Sequence, residues 1–123
     1  LSIIIKEKNM TDHVHVDKVK YIPSNRGVGK EHALRKGDLN VKLTKFTKGD
    51  IIPMHRHTDE KHEKLIVKGL VEFTDTNGTV DTLGEGVLYM CGSGASYYHG
   101  KVLEDTVILV IESSDSVIEY PKE

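Results

Sequence analysis

Three of the chain's seven histidines, His55, His57 and His62, fall within the stretch GDIIPMHRHTDEKHEKLIVKG, residues 49–69. Neutral imidazole binds Zn, Cu, Fe and Ni well, so such crowding raises metal chemistry first. Alternate residues of a strand share a face, which points His55 and His57 one way and Arg56 the other. Two imidazoles about 7 Å apart along one strand can meet at a single ion. The same His-x-His spacing recurs at His13 and His15 without supporting residues, and those two read as surface histidines, as does His32.

The third donor has two readings, because the neighbours His62 and Glu63 face opposite sides of a sheet. If Lys68-Gly69 is a two-residue turn, His62 shares a face with Ile66, Val71 and Phe73. Glu63 then shares one with Leu65, Val67, Glu72 and Thr74, which is the more solvated set. Lys64 sits awkwardly on the His62 face, and a bulge before the turn would reverse the answer.

The elements that must hold these side chains are strands. Apolar and polar residues alternate with period two at 13–22, 40–46 and 63–76, the last read as a hairpin turning at Lys68-Gly69. Further strands are expected at 86–90, 105–113 and 116–120. Asn77-Gly78 is the strongest turn signal, since both residues tolerate positive φ. Only residues 29–38, GKEHALRKGD, look helical, and residues 23–30 read as a loop. Seven or more short strands in 123 residues point to an all-β sandwich or barrel forming one domain over 1–123.

Composition narrows the function. A formal net charge of −2 with dispersed lysines argues against nucleic acid or anionic membrane as partner. The single cysteine, Cys91, rules out an internal disulfide and a thiolate cluster; it reads as a small core residue in a reducing, cytoplasmic protein. The apolar LSIII at the start is too short to span a bilayer. Residues 1–12 read as an arm or edge strand, and a homodimer is the expected assembly.

Gly49, five residues, His55-x-His57, four residues, His62, six residues and Gly69 together resemble the first motif of the cupin superfamily, G(x)5HxH(x)3–4E(x)6G. Pro53 fits as well, and His62 stands at the glutamate position. The second motif, G(x)5PxG(x)2H(x)3N, is degenerate. From Gly86, its positions hold Gly92, Gly94, Tyr97 in place of histidine, and Lys101 in place of asparagine; His99 follows two residues after Tyr97. The resemblance covers about residues 40–112.

It implies a double-stranded β-helix, the RmlC-like jelly-roll barrel. It further implies one divalent transition metal ion (Zn, Fe, Mn, Ni or Cu) held by His55, His57, His62 and His99, with Glu63 the alternative to His62. A four-histidine set is similar to that of some small manganese- or copper-binding cupins; three histidines and a glutamate is the commoner set. Tyr97, Tyr89, Met90, Phe73 and Met54 are expected around the pocket. Glu60, within the solvated TDEK stretch at 58–61, is a minor alternative ligand.

Three functions stay open. One is a metal-dependent enzyme of dioxygenase, decarboxylase, isomerase or lyase type acting on a small oxygenated molecule. The second is a metal-containing module that binds or senses a small ligand without turnover. The third is a metal-free sugar-binding or nucleotide-sugar isomerase type; such enzymes use a His/Asp pair in a longer chain, and the sequence offers none at a recognisable place. An apolar mouth would favour a hydrophobic substrate; buried arginine or lysine would favour an anionic acid. Arg26, Arg35 and Arg56 could bind a carboxylate, although no spacing brings them together.

Overall fold

The chain is described as a computed structural model over residues 13–57, 62–90 and 96–122. The N-terminal arm (1–12), the TDEK stretch with Glu60, and Cys91, Gly92 and Gly94 of the second motif lie outside the described residues. The strands are β1 (Ile22–Pro23), β2 (Lys30–Arg35), β3 (Leu39–Phe46), β4 (Ile51–His57) and β5 (Glu63–Asp75). They continue with β6 (Val80–Gly84), β7 (Leu88–Met90), β8 (Tyr98–Ser113) and β9 (Ile118–Glu119). All ladders are antiparallel, and no helix occurs among the described residues.

Two long strands organise the barrel. The second half of β8 lies between β3 (Phe46 opposite Thr106) and the first half of β5 (Ile66 opposite Ile108). The first half of β8 lies between β4 (Ile52 opposite Gly100) and the second half of β5 (Phe73 opposite Gly100). Register shifts between Ile66 and Val71 bend β5 where the two halves meet, as bulges do. The sheet thereby curls around one interior. Phe46, Ile52, Ile66, Val71, Phe73, Val102, Ile108 and Val110 pack there as a single cluster.

The β5–β6 hairpin forms at Asn77-Gly78 as expected. The Gly78 N–H donates to the Asp75 carbonyl at 3.0 Å, and the Asp75 carboxylate accepts from the Asn77 and Thr79 amides at 2.8 and 3.0 Å. Three expectations are corrected. Residues 30–35 form a strand rather than a helix, pairing His32 with Leu43 and Glu31 with Thr44. Six residues of helix former lack the length to stabilise a helix alone, and the open edge of β3 satisfies their backbone instead.

No hairpin forms at Lys68-Gly69, because β5 runs on through it and stays paired with β8. Residues 13–21 form no strand either; a turn puts the Lys18 and Val19 amides on the His15 carbonyl at 2.9 and 3.2 Å. Asp17 in that turn pairs with Lys68, and the lysine holds the Asp17 carboxyl below its ordinary range. His13 and His15 are exposed, consistent with their reading as surface histidines.

Candidate metal centre

The inner faces of β3, β4, β5 and β8 line most of a partly open cavity of about 90 Å³. That is well under the few hundred Å³ of a drug-sized pocket, so its occupants must be small. β4 supplies His55 and His57 from one face, 1% and 2% exposed. The residue just before β5 supplies His62, 1% exposed, while Glu63 points out to solvent. His62 is thus inward, together with Ile66, Val71 and Phe73, as the expected hairpin would have it. The means differ: bulges in β5, rather than a turn, shift the side-chain parity between Ile66 and Val71.

Ligand atoms of His57, His62 and Glu112 all lie within 4.8 Å of one another. The His57 and His62 rings stack at 3.8 Å between centroids, and the Glu112 carboxylate lies 3.5 Å from His62 Nδ1. Sequence reasoning missed Glu112, although a signal was there. On β8 the buried Thr106, Ile108 and Val110 share one parity, and Glu112 is the next residue on that face. A carboxylate continuing an inward apolar stripe needs a partner. It finds Lys42 at 3.4 Å, itself held at 3.4 Å by Glu31.

His99 does not reach the cavity. Tyr98 lines it, and a Cβ on Gly100 would meet Phe73 Cε1 at 2.9 Å and Ile52 Cδ1 at 3.1 Å. Both Tyr98 and Gly100 lie against the interior, on either side of His99 in the strand. The inward place near His55 goes to Tyr98, its ring 4.7 Å from that of the histidine. Of the expected pocket residues, Tyr89 and Phe73 line the cavity, whereas Met54, Met90 and Tyr97 do not. Met90 is 70% exposed, and Tyr97 lies under the Arg56 guanidinium at 4.6 Å.

Hydrogen bonds fix two imidazole tautomers. His55 Nδ1 lies 2.6 Å from the Pro53 carbonyl oxygen, which can only accept, so Nδ1 carries the proton. His55 Nε2 keeps a lone pair, buried and without a hydrogen-bond partner among the described residues. An imidazole braced in this way is typical of metal-binding histidines. Lys64, also buried, places Nζ 3.3 Å from His57 Nε2. An ammonium only donates, so Nε2 accepts and the His57 proton sits on Nδ1, which is likewise buried without such a partner.

Burial is the main reason both rings resist protonation. It lowers His55 from 6.5 to about 4, with Arg26 and Lys64 adding to the effect and the Pro53 carbonyl opposing it. His57 is lowered further, by burial and then by Lys64, His62, His55 and Arg26. Both are neutral at pH 7, the form that accepts a cation, and His57 would give up its Lys64 contact at Nε2 to do so.

Stability must then depend on pH. In the unfolded chain these rings take up protons near pH 6.5, whereas in the folded chain they do not. Stability from His55 is therefore complete above pH 6.5 and declines as pH falls towards about 4. The loss is on the order of 3 kcal/mol for this group. Urea unfolding of chelator-treated protein at pH 7.5, 6.0 and 5.0 should show the midpoint falling at each step. A flat profile would contradict the burial of neutral imidazoles.

No family model and no curated protein matches the sequence. Solved structures do match the fold. The polyketide cyclase RemF from Streptomyces resistomycificus superposes with a TM-score of 0.75 at 15% identity, covering 93% of this chain and 87% of that one. Rru_A2000 from Rhodospirillum rubrum, a cupin-2 domain, superposes with a TM-score of 0.71 at 14% identity over 94% and 84%. A conserved protein with a double-stranded β-helix domain from Klebsiella pneumoniae gives 0.69 at 19% identity over 90% and 99%. With the curled antiparallel sheet, these likenesses lead to one conclusion: the chain has a double-stranded β-helix fold, like that of these structures.

Proposed function

We propose that this protein is a metal-dependent cupin, an enzyme acting on a small molecule beside one divalent transition metal ion. The observation that carries the reading is the convergence of His57, His62 and Glu112 within 4.8 Å, at the wall of a small, partly open cavity. Two imidazoles and one carboxylate suit Fe, Zn, Mn, Ni or Cu and leave coordination positions open. When bound, the ion would supply Lewis-acid or redox chemistry. His55 stands beside the trio, its ring 5.0 Å from that of His57. Its Nε2 lone pair is placed to accept a hydrogen bond from a molecule in the cavity. Phe73, Tyr89 and Tyr98 form a wall that limits water there.

The fold is shared with the polyketide cyclase described above, and a cyclase-like or dioxygenase-like reaction agrees with this donor set. Metal analysis tests the reading: dialysed protein is expected to hold close to one equivalent of a divalent transition metal. Protein purified free of metal, and unable to take up Zn, Mn, Fe, Ni or Cu afterwards, would refute it.

A second reading has its own observation. Lys64 Nζ, 3.3 Å from His57 Nε2, is a cation already placed against one of the donors. The His62–Glu112 pair at 3.5 Å also sets an acid against a histidine, with glutamate where a metal-free isomerase-type site would carry aspartate. Lys64→Met removes the charge at similar volume. On the metal reading, affinity for the ion should rise at least about tenfold, since like charges this close repel by more than about 1.4 kcal/mol even at an effective dielectric near 20. Isothermal titration with Zn(II) and Mn(II) measures it. Unchanged affinity would mean that Lys64 does not face the ion.

A further inference from the structure

The cavity that holds the three donors is electrically lopsided. Arg26, Lys42 and Lys64 line it against a single carboxylate, Glu112. Lys42 is engaged by Glu112 and Glu31, both at 3.4 Å. Arg26 is different: its Nε is buried and has no hydrogen-bond partner among the described residues. A buried guanidinium N–H left unsatisfied costs free energy that a ligand oxygen can recover.

We infer that the cavity binds a small organic carboxylic acid, its carboxylate held by Arg26 with Lys64 as the second cation. This deepens the reading of the same cavity as a metal-dependent site by naming its ligand class. Three features select an organic acid among anions. A planar carboxylate matches the guanidinium fork. Phe46, Ile52, Phe73 and Ile108 on the same walls offer apolar surface that a bare inorganic oxyanion cannot use. A volume of about 90 Å³ limits the acid to a few carbons or a single ring set against those walls.

The test is isothermal titration of chelator-treated and of metal-loaded protein with acetate, propionate and benzoate. Each is compared with its neutral amide, and inorganic phosphate serves as the competing anion. In chelator-treated protein, at least one acid is expected to bind ten times more tightly than its amide. Arg26→Gln should weaken that acid roughly 10- to 100-fold, the worth of a hydrogen bond to a charged group. Arg26→Lys, which keeps the charge and loses the fork, should weaken it less and guards against a folding defect in the glutamine variant.

Acids that bind no better than their amides, phosphate that outbinds every acid, or Arg26→Gln that binds as wild type would each overturn the inference. Acid binding by protein that retains no metal would leave this inference standing while the metal reading fell. Metal retention with acids and amides binding alike would do the reverse.

Discussion

His62→Leu combined with Glu112→Gln should reduce divalent-metal affinity at least about 100-fold, measured by equilibrium dialysis with elemental analysis. Losing an outer partner of a metal ligand already costs roughly 10- to 100-fold in affinity, so removing direct donors sets a higher floor. The two substitutions disturb the fold little. Leucine fills much of the space of a ring that is 1% exposed, and glutamine keeps the shape of Glu112 while removing its charge. Lys42 retains Glu31 at 3.4 Å as a partner, and Lys64 retains His57. His99→Leu is the matched control. It lies outside the cavity lining and should leave metal affinity unchanged, although the sequence motif nominates it. Loss of metal in the control with retention in the double variant would reverse the assignment.

Gly69→Ala should cost roughly 2–6 kcal/mol, a large share of the roughly 5–15 kcal/mol that holds a typical domain together. Gly69 sits at φ +108° inside the bulged part of β5, where any side chain strains the backbone. Space is lacking as well. A Cβ would lie 2.2 Å from Thr106 Oγ1 and 2.6 Å from both the Asp105 carbonyl oxygen and Thr106 Cα. Two of those atoms are main chain of β8, which is fixed by its ladders to β3 and β5. Thr106 cannot yield freely either, because its hydroxyl donates to the Glu104 carbonyl at 2.7 Å and accepts from the Leu70 amide at 3.2 Å.

Backbone strain of about 1–3 kcal/mol and overpacking of about 1–3 kcal/mol give the range. Gly78→Ala separates the two contributions. Gly78 has φ +84°, but a Cβ there would meet nothing within 4 Å, so only the strain should register. Urea unfolding reads both, with midpoints lowered and slopes unchanged. Equal losses in the two variants would remove the steric argument. Because the bulge at Gly69 sets which residues of β5 face inward beyond Ile66, the same glycine keeps Phe73 on the cavity wall.

The metal trio and the Arg26 subsite fit together chemically. Arg26, the aromatic residues Phe73, Tyr89 and Tyr98, and the three donors all line the same cavity. His55, held in one tautomer by Pro53, offers its Nε2 there as a hydrogen-bond acceptor. Its low proton affinity keeps it an acceptor throughout the physiological range.

What the sequence determined by itself was local. Period-two alternation marked the strands at 40–46 and 63–76, Asn77-Gly78 marked a hairpin, and the spacing from Gly49 to Gly69 carried the likeness to the cupin fold. Two histidines at i and i+2 had to share a face, because strand geometry allows nothing else. Tertiary structure decided everything that depends on pairing partners. Residues 30–35 became a strand because β3 offered an edge, which local helix propensity could not foresee. His99 was left out of the cavity because the register of β8 put Tyr98 and Gly100 against the interior. A one-residue difference in parity inverts every side chain, and the intervening loop length does not reveal it. Glu112, Lys64 and Arg26 came to one cavity from segments far apart in the chain. Their meeting depends on how the barrel closes, and no spacing along the sequence encodes that distance.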